Sequence, residues 1–121
     1  MPYALENLQL PPVPDAAARL SGCVRTLAED LGAQEIWVYG SVARGEAGPD
    51  SDVDLLIVGD DASGSPALRR RAARRLAPLQ GALPIGLQVI SPEQWRLLQD
   101  DHATLIPEIR KKGVRVYARH A

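Results

Sequence analysis

At 121 residues with 45% hydrophobic side chains, the chain has the length of one domain around one core and the composition of a folded protein. Its net charge of −1 excludes the global basic field of a dedicated nucleic-acid binder, so nucleic acid is not an expected partner, and no apolar run approaches the roughly 20 residues of a membrane span. Cys23 is alone, which excludes an internal disulfide; without a His pair or Cys cluster no structural zinc site is expected, and a start lacking signal-peptide features leads us to expect a reducing cytoplasm.

Residues 1–14 read as a proline-rich N-terminal arm, in which Pro2, Pro11, Pro12 and Pro14 oppose a helix and Leu5, Leu8 and Leu10 are available to lie against the body. A first helix is predicted from about Asp15 to Leu31, with Leu20, Val24, Leu27 and Leu31 at helical spacing and Gly32 as its stop. Cys23 borders that stripe and reads as a buried, inert thiol. Glu35 to Tyr39 is a strand of β-formers, broken by Gly40-Ser41; Val42 to Arg44 is a short helical turn and Gly45 to Ser51 a loop. The second strand covers Asp52 to Val58, apolar on both faces in its later part and therefore buried within a sheet.

Ser65-Pro66 supplies an N-cap and first-turn proline for another helix. Leu68, Ala72, Leu76 and Leu79 form its inner stripe, and Arg69, Arg70, Arg71, Arg74 and Arg75 surround the rest. A third strand fits Pro84 to Ile90, and the capping box Ser91-Pro92-Glu93-Gln94 starts a helix through Trp95, Leu97 and Leu98. A further helix is expected from Ala103 to Lys112, ending at Gly113, with a short last strand from Val114 to Tyr117. The order predicts a single α/β (α+β) domain over residues 1–121: a small mixed β-sheet with helices packed on one side.

Chemistry concentrates in Gly40-Ser41, ten residues, then Asp52-Val53-Asp54 entering an apolar strand. Side chains on a strand repeat every second residue, so the two carboxylates share a face. Two hard oxygen donors beside a small Gly-Ser turn suit a magnesium ion carrying nucleotide phosphates. Gly40 lets backbone approach phosphate closely, Ser41 offers a hydroxyl donor, and Arg44 is a phosphate contact or a partner for Glu46. No P-loop or dinucleotide-binding glycine motif is present.

This pattern resembles the signature of the DNA polymerase beta-type nucleotidyltransferase superfamily, and the short chain resembles its minimal members. The resemblance implies Mg2+ held by Asp52 and Asp54, which are then also the catalytic carboxylates. It implies an NTP, ATP first among them, bound through Gly40, Ser41 and Arg44, and NMP transfer to an acceptor hydroxyl. Minimal proteins of this kind are often antitoxin halves of two-gene modules, which implies a helical HEPN-type partner protein as the acceptor. The resemblance also implies a third carboxylate from a neighbouring strand. The register of Leu83 to Ile90 puts Gly86 there, and no Asp or Glu occurs between Ala62 and Pro92. Gln88 shares the face of Gly86 and is not a base. A substitute from Glu46, Asp50 or the Asp100-Asp101 pair, one from a partner, or an acceptor that is already nucleophilic are the open alternatives. So is a second class of function, an NTP-binding or partner-docking module whose catalysis is weak or absent.

The arginines of residues 69–75 read as a solvated face, with RNA, an acidic partner or the triphosphate as alternatives. His102 reads as a surface residue near a helix start, and Trp37 and Trp95 as core. Sequence leaves the oligomeric state open.

Overall fold

The fold is built around a strand that is apolar on both faces. In the structure, a computed structural model that describes residues 3–6 and 8–119, this strand is β2, Val53–Val58. It lies inside a four-stranded sheet ordered β3-β2-β1-β4, with β1 at Glu35–Tyr39, β3 at Ile85–Ile90 and β4 at Val114–Ala118. β1 is antiparallel to both β2 and β4, whereas β2 and β3 are parallel and joined through α2, Ser65–Gln80. The mixed α+β class is the one expected from the order of elements.

One face of the sheet carries Ile36, Val38, Val53, Leu55 and Ile57. It is covered by α1 (Ala16–Arg25), by α2 and by the π turn Thr26–Asp30 that continues α1. The predicted helix from Asp15 to Leu31 is therefore present in two geometries, the second wide enough for the Leu31 N–H to donate to the Thr26 carbonyl at 3.2 Å. Leu20, Cys23, Val24 and Leu27 from this segment meet Leu68, Ala72 and Leu76 of α2 in the main core.

The other face carries Leu56, Val58 and Ile90, with Trp37 and Tyr39 beside them. It is covered by α3 (Pro92–Leu97) and α4 (Ile106–Lys112), through Ile106, Ile109, Trp95 and Leu98. The expectation that all helices pack on one side is corrected here: a strand with leucine and valine on both faces needs cover on both. The Trp37 and Trp95 rings, 5.3 Å apart and tilted by 46°, pin α3 to β1.

Three local expectations change. The cap of α2 is Gly64, without a side-chain bond, so Ser65 already lies inside the helix. Leu79 does not belong to the inner stripe: the last turn is exposed, Leu79 itself 36% so. α4 starts at Ile106, because Asp101 and Thr104 bind nearby backbone instead; Asp101 Oδ1 accepts from the Ala103 N–H at 3.0 Å and Thr104 Oγ1 from the Ile106 N–H at 3.2 Å. The Ser91 cap forms as predicted, its Oγ accepting from the Gln94 N–H at 3.1 Å.

The N-terminal arm is docked. Leu5, Leu8 and Leu10 pack against the main core, and the Ala4 N–H donates to the Val116 carbonyl at 2.9 Å. Tyr3 is buried and donates its hydroxyl to Glu29 at 2.7 Å. Pro2, one of the arm's prolines, lies outside the described residues. Among the described residues, no helix is long and apolar enough to cross a membrane.

Candidate active site

The residues singled out in sequence meet at one end of the second face. β1 ends at Tyr39, and Gly40 turns the chain with φ at +76°, a conformation that strains any residue with a Cβ. The next residues form a single helical turn in which the Arg44 N–H donates to the Gly40 carbonyl at 3.1 Å and the Glu46 N–H to the Ser41 carbonyl at 2.9 Å. Val42, 1% exposed, anchors this turn in the main core, leaving Ser41 and Arg44 toward the surface. The loop back to β2 is shaped by the Ser51 hydroxyl accepting from the Gly48 N–H at 2.8 Å.

Tyr39 is the register partner of Asp54 on one side, and Gly86 is its partner on the other. Asp54 lies in a trough between two glycines: a Cβ at Gly40 would collide with its Oδ2, and a Cβ at Gly86 would lie 3.0 Å from its Oδ1. Gly40 thus has a second reason to be glycine, making room for the carboxylate as well as turning the chain. Asp52 precedes the strand by one residue and is exposed, two positions from Asp54. Strand alternation turns it to the same side.

Burial and, after it, the neighbouring Asp52 charge raise the Asp54 carboxyl above its ordinary range, and Arg44 opposes the shift. Burial, then the Asp54 charge, raises the Tyr39 phenol. Among the described residues neither aspartate receives a side-chain hydrogen bond or an ion pair; Arg44 is turned to Glu46, Nε to Oε1 at 2.9 Å, with both side chains largely exposed. Two carboxylates that repel each other, with no cation bonded to them among the described residues, form a donor set suited to a hard divalent cation, which would relieve the repulsion.

The third carboxylate is absent where the register places it. Gly86 is opposite Asp54, and among the described residues no further His, Cys, Asp or Glu joins the pair in a group able to hold a metal. Glu46 is engaged by Arg44, and Asp101 caps the turn before α4.

A cavity of about 200 Å³ adjoins the site, lined by Tyr39, Gly40, Arg44, Glu108, Ile109 and Lys112 among others. Glu108 and Lys112 were not among the residues singled out in sequence, where they fall within the helix expected from Ala103 to Lys112. A shallower groove of about 410 Å³ continues over Leu56, Gln88, Ile90, Leu98, Leu105 and Ile106.

Three arginines of α2 serve the scaffold. Arg69 donates to the Leu87 carbonyl at 3.0 Å, Arg71 pairs with Asp61 at 3.0 Å and Arg75 with Asp30 at 2.7 Å; their helix covers the first face, not that of the aspartates. Cys23 is buried, and burial pushes its thiol up to about 11, an inert state as expected. His102 is exposed in the turn before α4.

A family model of the nucleotidyltransferase domain matches residues 19–115. No curated protein matches the sequence. The fold is similar to the crystal structure of a candidate nucleotidyltransferase from Sulfolobus solfataricus, with a TM-score of 0.54 and 17% identity over 88% of this chain and 86% of that one. The matched segment spans most of the chain, from α1 to β4 and through every residue of the Gly-Ser and Asp-x-Asp motifs, and the chain belongs to the nucleotidyltransferase domain family.

Proposed function

We propose that this chain transfers NMP from a magnesium-bound NTP, ATP foremost, to an acceptor hydroxyl on a partner protein. The observation that carries the reading is the Asp52-Asp54 pair, without a bonded partner among the described residues and with Asp54 fitted against Gly40. Asp52 and Asp54 are the residues that would hold the metal, whose chemistry is to neutralise phosphate charge and orient the triphosphate. Ser41 and Arg44 bind the phosphate oxygens, Arg44 exchanging its exposed pair with Glu46 for a more highly charged partner. In the reaction the acceptor oxygen attacks the α-phosphorus, its bond to the bridging oxygen of the β-phosphate breaks, and pyrophosphate leaves. The acceptor proton has no carboxylate at Gly86 to receive it, so it passes to solvent or to a base brought by the partner.

A second face that α3 and α4 cover only in part, with a groove beside the aspartates, leaves room for a partner that completes the site, and an antitoxin-like role toward a helical HEPN-type protein fits that need. The glycine at position 86 favours a second reading, an NTP-binding or partner-docking module with little catalysis.

The test is transfer of label from α-labelled ATP, in Mg2+, to a co-expressed partner. Wild type labels the partner and Asp52→Asn does not, with partner binding kept; Gly86→Asp raises the rate tenfold or more if the missing base limits turnover. Mg·ATP binding without labelling, in wild type and Gly86→Asp alike, supports the docking module instead.

A further inference from the structure

The cavity beside Gly40 contains charges that the Gly-Ser and Asp-x-Asp motifs do not explain. One side of Gly40 faces Asp54 Oδ2, and the residue also lines the cavity. Across it stands α4, which contributes Glu108 and Lys112. The position of α4 is fixed: Ile106 and Ile109 are 6% and 4% exposed in the second core, and Gly113 at its end packs so closely that a Cβ there would lie 3.1 Å from the Val38 carbonyl of β1. The backbone at Lys112 is therefore fixed at the end of β1, next to the Gly40 turn, while its side chain stays more than half exposed.

Two cations, Arg44 and Lys112, thus share one small cavity, and among the described residues each is paired with one acid. Arg44 has Glu46; Lys112 has Glu108 at 3.8 Å, with both side chains more than half exposed. Exposed pairs of this length are weak, and a phosphate oxygen competes with a carboxylate on favourable terms because it brings more charge. Helix geometry makes Glu108 and Lys112 neighbours, four residues apart.

From this arrangement we infer that Lys112 is a second phosphate-binding cation, acting with Arg44 on the β- and γ-phosphates of the nucleotide, and that Glu108 holds Lys112 in the free protein and competes with the phosphates for it. The inference rests on the nucleotide reading of the Asp52-Asp54 site and adds a wall to it. The β- and γ-phosphates lie toward the cavity beyond Gly40, and the charge they carry away as pyrophosphate is met by α4. Glu108 consequently works against binding. An acid serving as a metal ligand or base would do the reverse.

Opposite signs make the test decisive. Mg·ATP and Mg·AMP are titrated calorimetrically into the full chain, with circular dichroism to verify the fold of each variant. Lys112→Met weakens Mg·ATP about tenfold and leaves Mg·AMP unchanged, Lys112→Arg stays near wild type, and Glu108→Gln tightens Mg·ATP two- to fivefold. Equal loss for ATP and AMP in Lys112→Met, no loss at all, or weaker binding in Glu108→Gln would overturn the inference while leaving the nucleotide site standing. Wild type that binds neither nucleotide overturns both.

Discussion

The two faces of the four-stranded sheet serve opposite ends. The first, with Ile36, Val38, Val53, Leu55 and Ile57, is sealed by α1 and α2 into one large cluster of buried side chains. The second has, among the described residues, five buried side chains, Leu56, Val58, Ile90, Ile106 and Ile109, before giving way to half-buried aromatics, a groove and the aspartates. β2 shows the division residue by residue: toward α1 and α2 it presents Val53, Leu55 and Ile57, and toward the other side Asp54, then Leu56 and Val58. One face holds the strand, so the other can leave two carboxylates without partners. The first face supplies the larger part of the core, and the second is closed only in part by α3 and α4.

The largest effect that probes this division comes from two adjacent leucines. Leu55 is 0% exposed within the sealed core, and Leu55→Ala should cost about 4 kcal/mol, with a cavity that no water can fill. Leu56, 3% exposed, borders the open groove, so Leu56→Ala should cost about 2 kcal/mol because its cavity merges with solvent-accessible space. Urea denaturation of both variants decides the matter: equal losses would show the second face to be as tightly packed as the first.

A smaller effect tests how the open face is assembled. Gly40→Ala places a Cβ at a φ of +76° and against Asp54, so about 2 kcal/mol of stability should be lost together with Mg·ATP binding. Gly48→Ala in the same loop meets nothing within 4 Å and should change stability by less than about 0.5 kcal/mol, with binding kept. If Gly40→Ala keeps binding, the trough around Asp54 is not needed to hold the carboxylate in place.

Most of the first face was legible in the sequence, and only part of the second. Leu20, Val24, Leu27, Leu68, Ala72 and Leu76 repeat at helical spacing, and they pack where that period puts them. The register that set Gly86 opposite Asp54 was legible too, because two parallel strands of similar length leave little freedom once their apolar faces are aligned. What escaped was cover on the second face. α3 and α4 are six and seven residues long, too short for a clear period, and the side chains of Asp101 and Thr104 divert the chain from the expected longer helix. The predicted end at Lys112 and Gly113 holds and only the start of α4 moves, from Ala103 to Ile106; what had no signal was the sheet face it covers, and with it the place of Glu108 and Lys112 beside Gly40. The gap between Asp54 and its glycine neighbours was equally invisible, since it depends on three strands meeting at one level.

The smallest effect asks whether Asp54 lowers the stability of the free protein. Its folded carboxyl is raised first by burial and then by Asp52, so the native state holds a proton more tightly than the unfolded chain does. Stability linked to this group is therefore complete below the unfolded carboxylate range and is lost as pH rises through the higher folded value. At pH 7 the ionised Asp54 carries that penalty, and Asp54→Asn, similar in shape and uncharged, does not. The variant should melt about 1–3 °C higher at pH 7, with the gain shrinking toward zero as the pH falls below about 4. Saturating Mg·ATP should reverse the order, because a ligand that binds only the wild-type fold raises only the wild-type melting temperature. A variant that melts lower at pH 7 would place Asp54 among the groups that stabilise the fold. The expected pattern, weaker alone and stronger with nucleotide, is what a carboxylate kept for a cation on the open face should give.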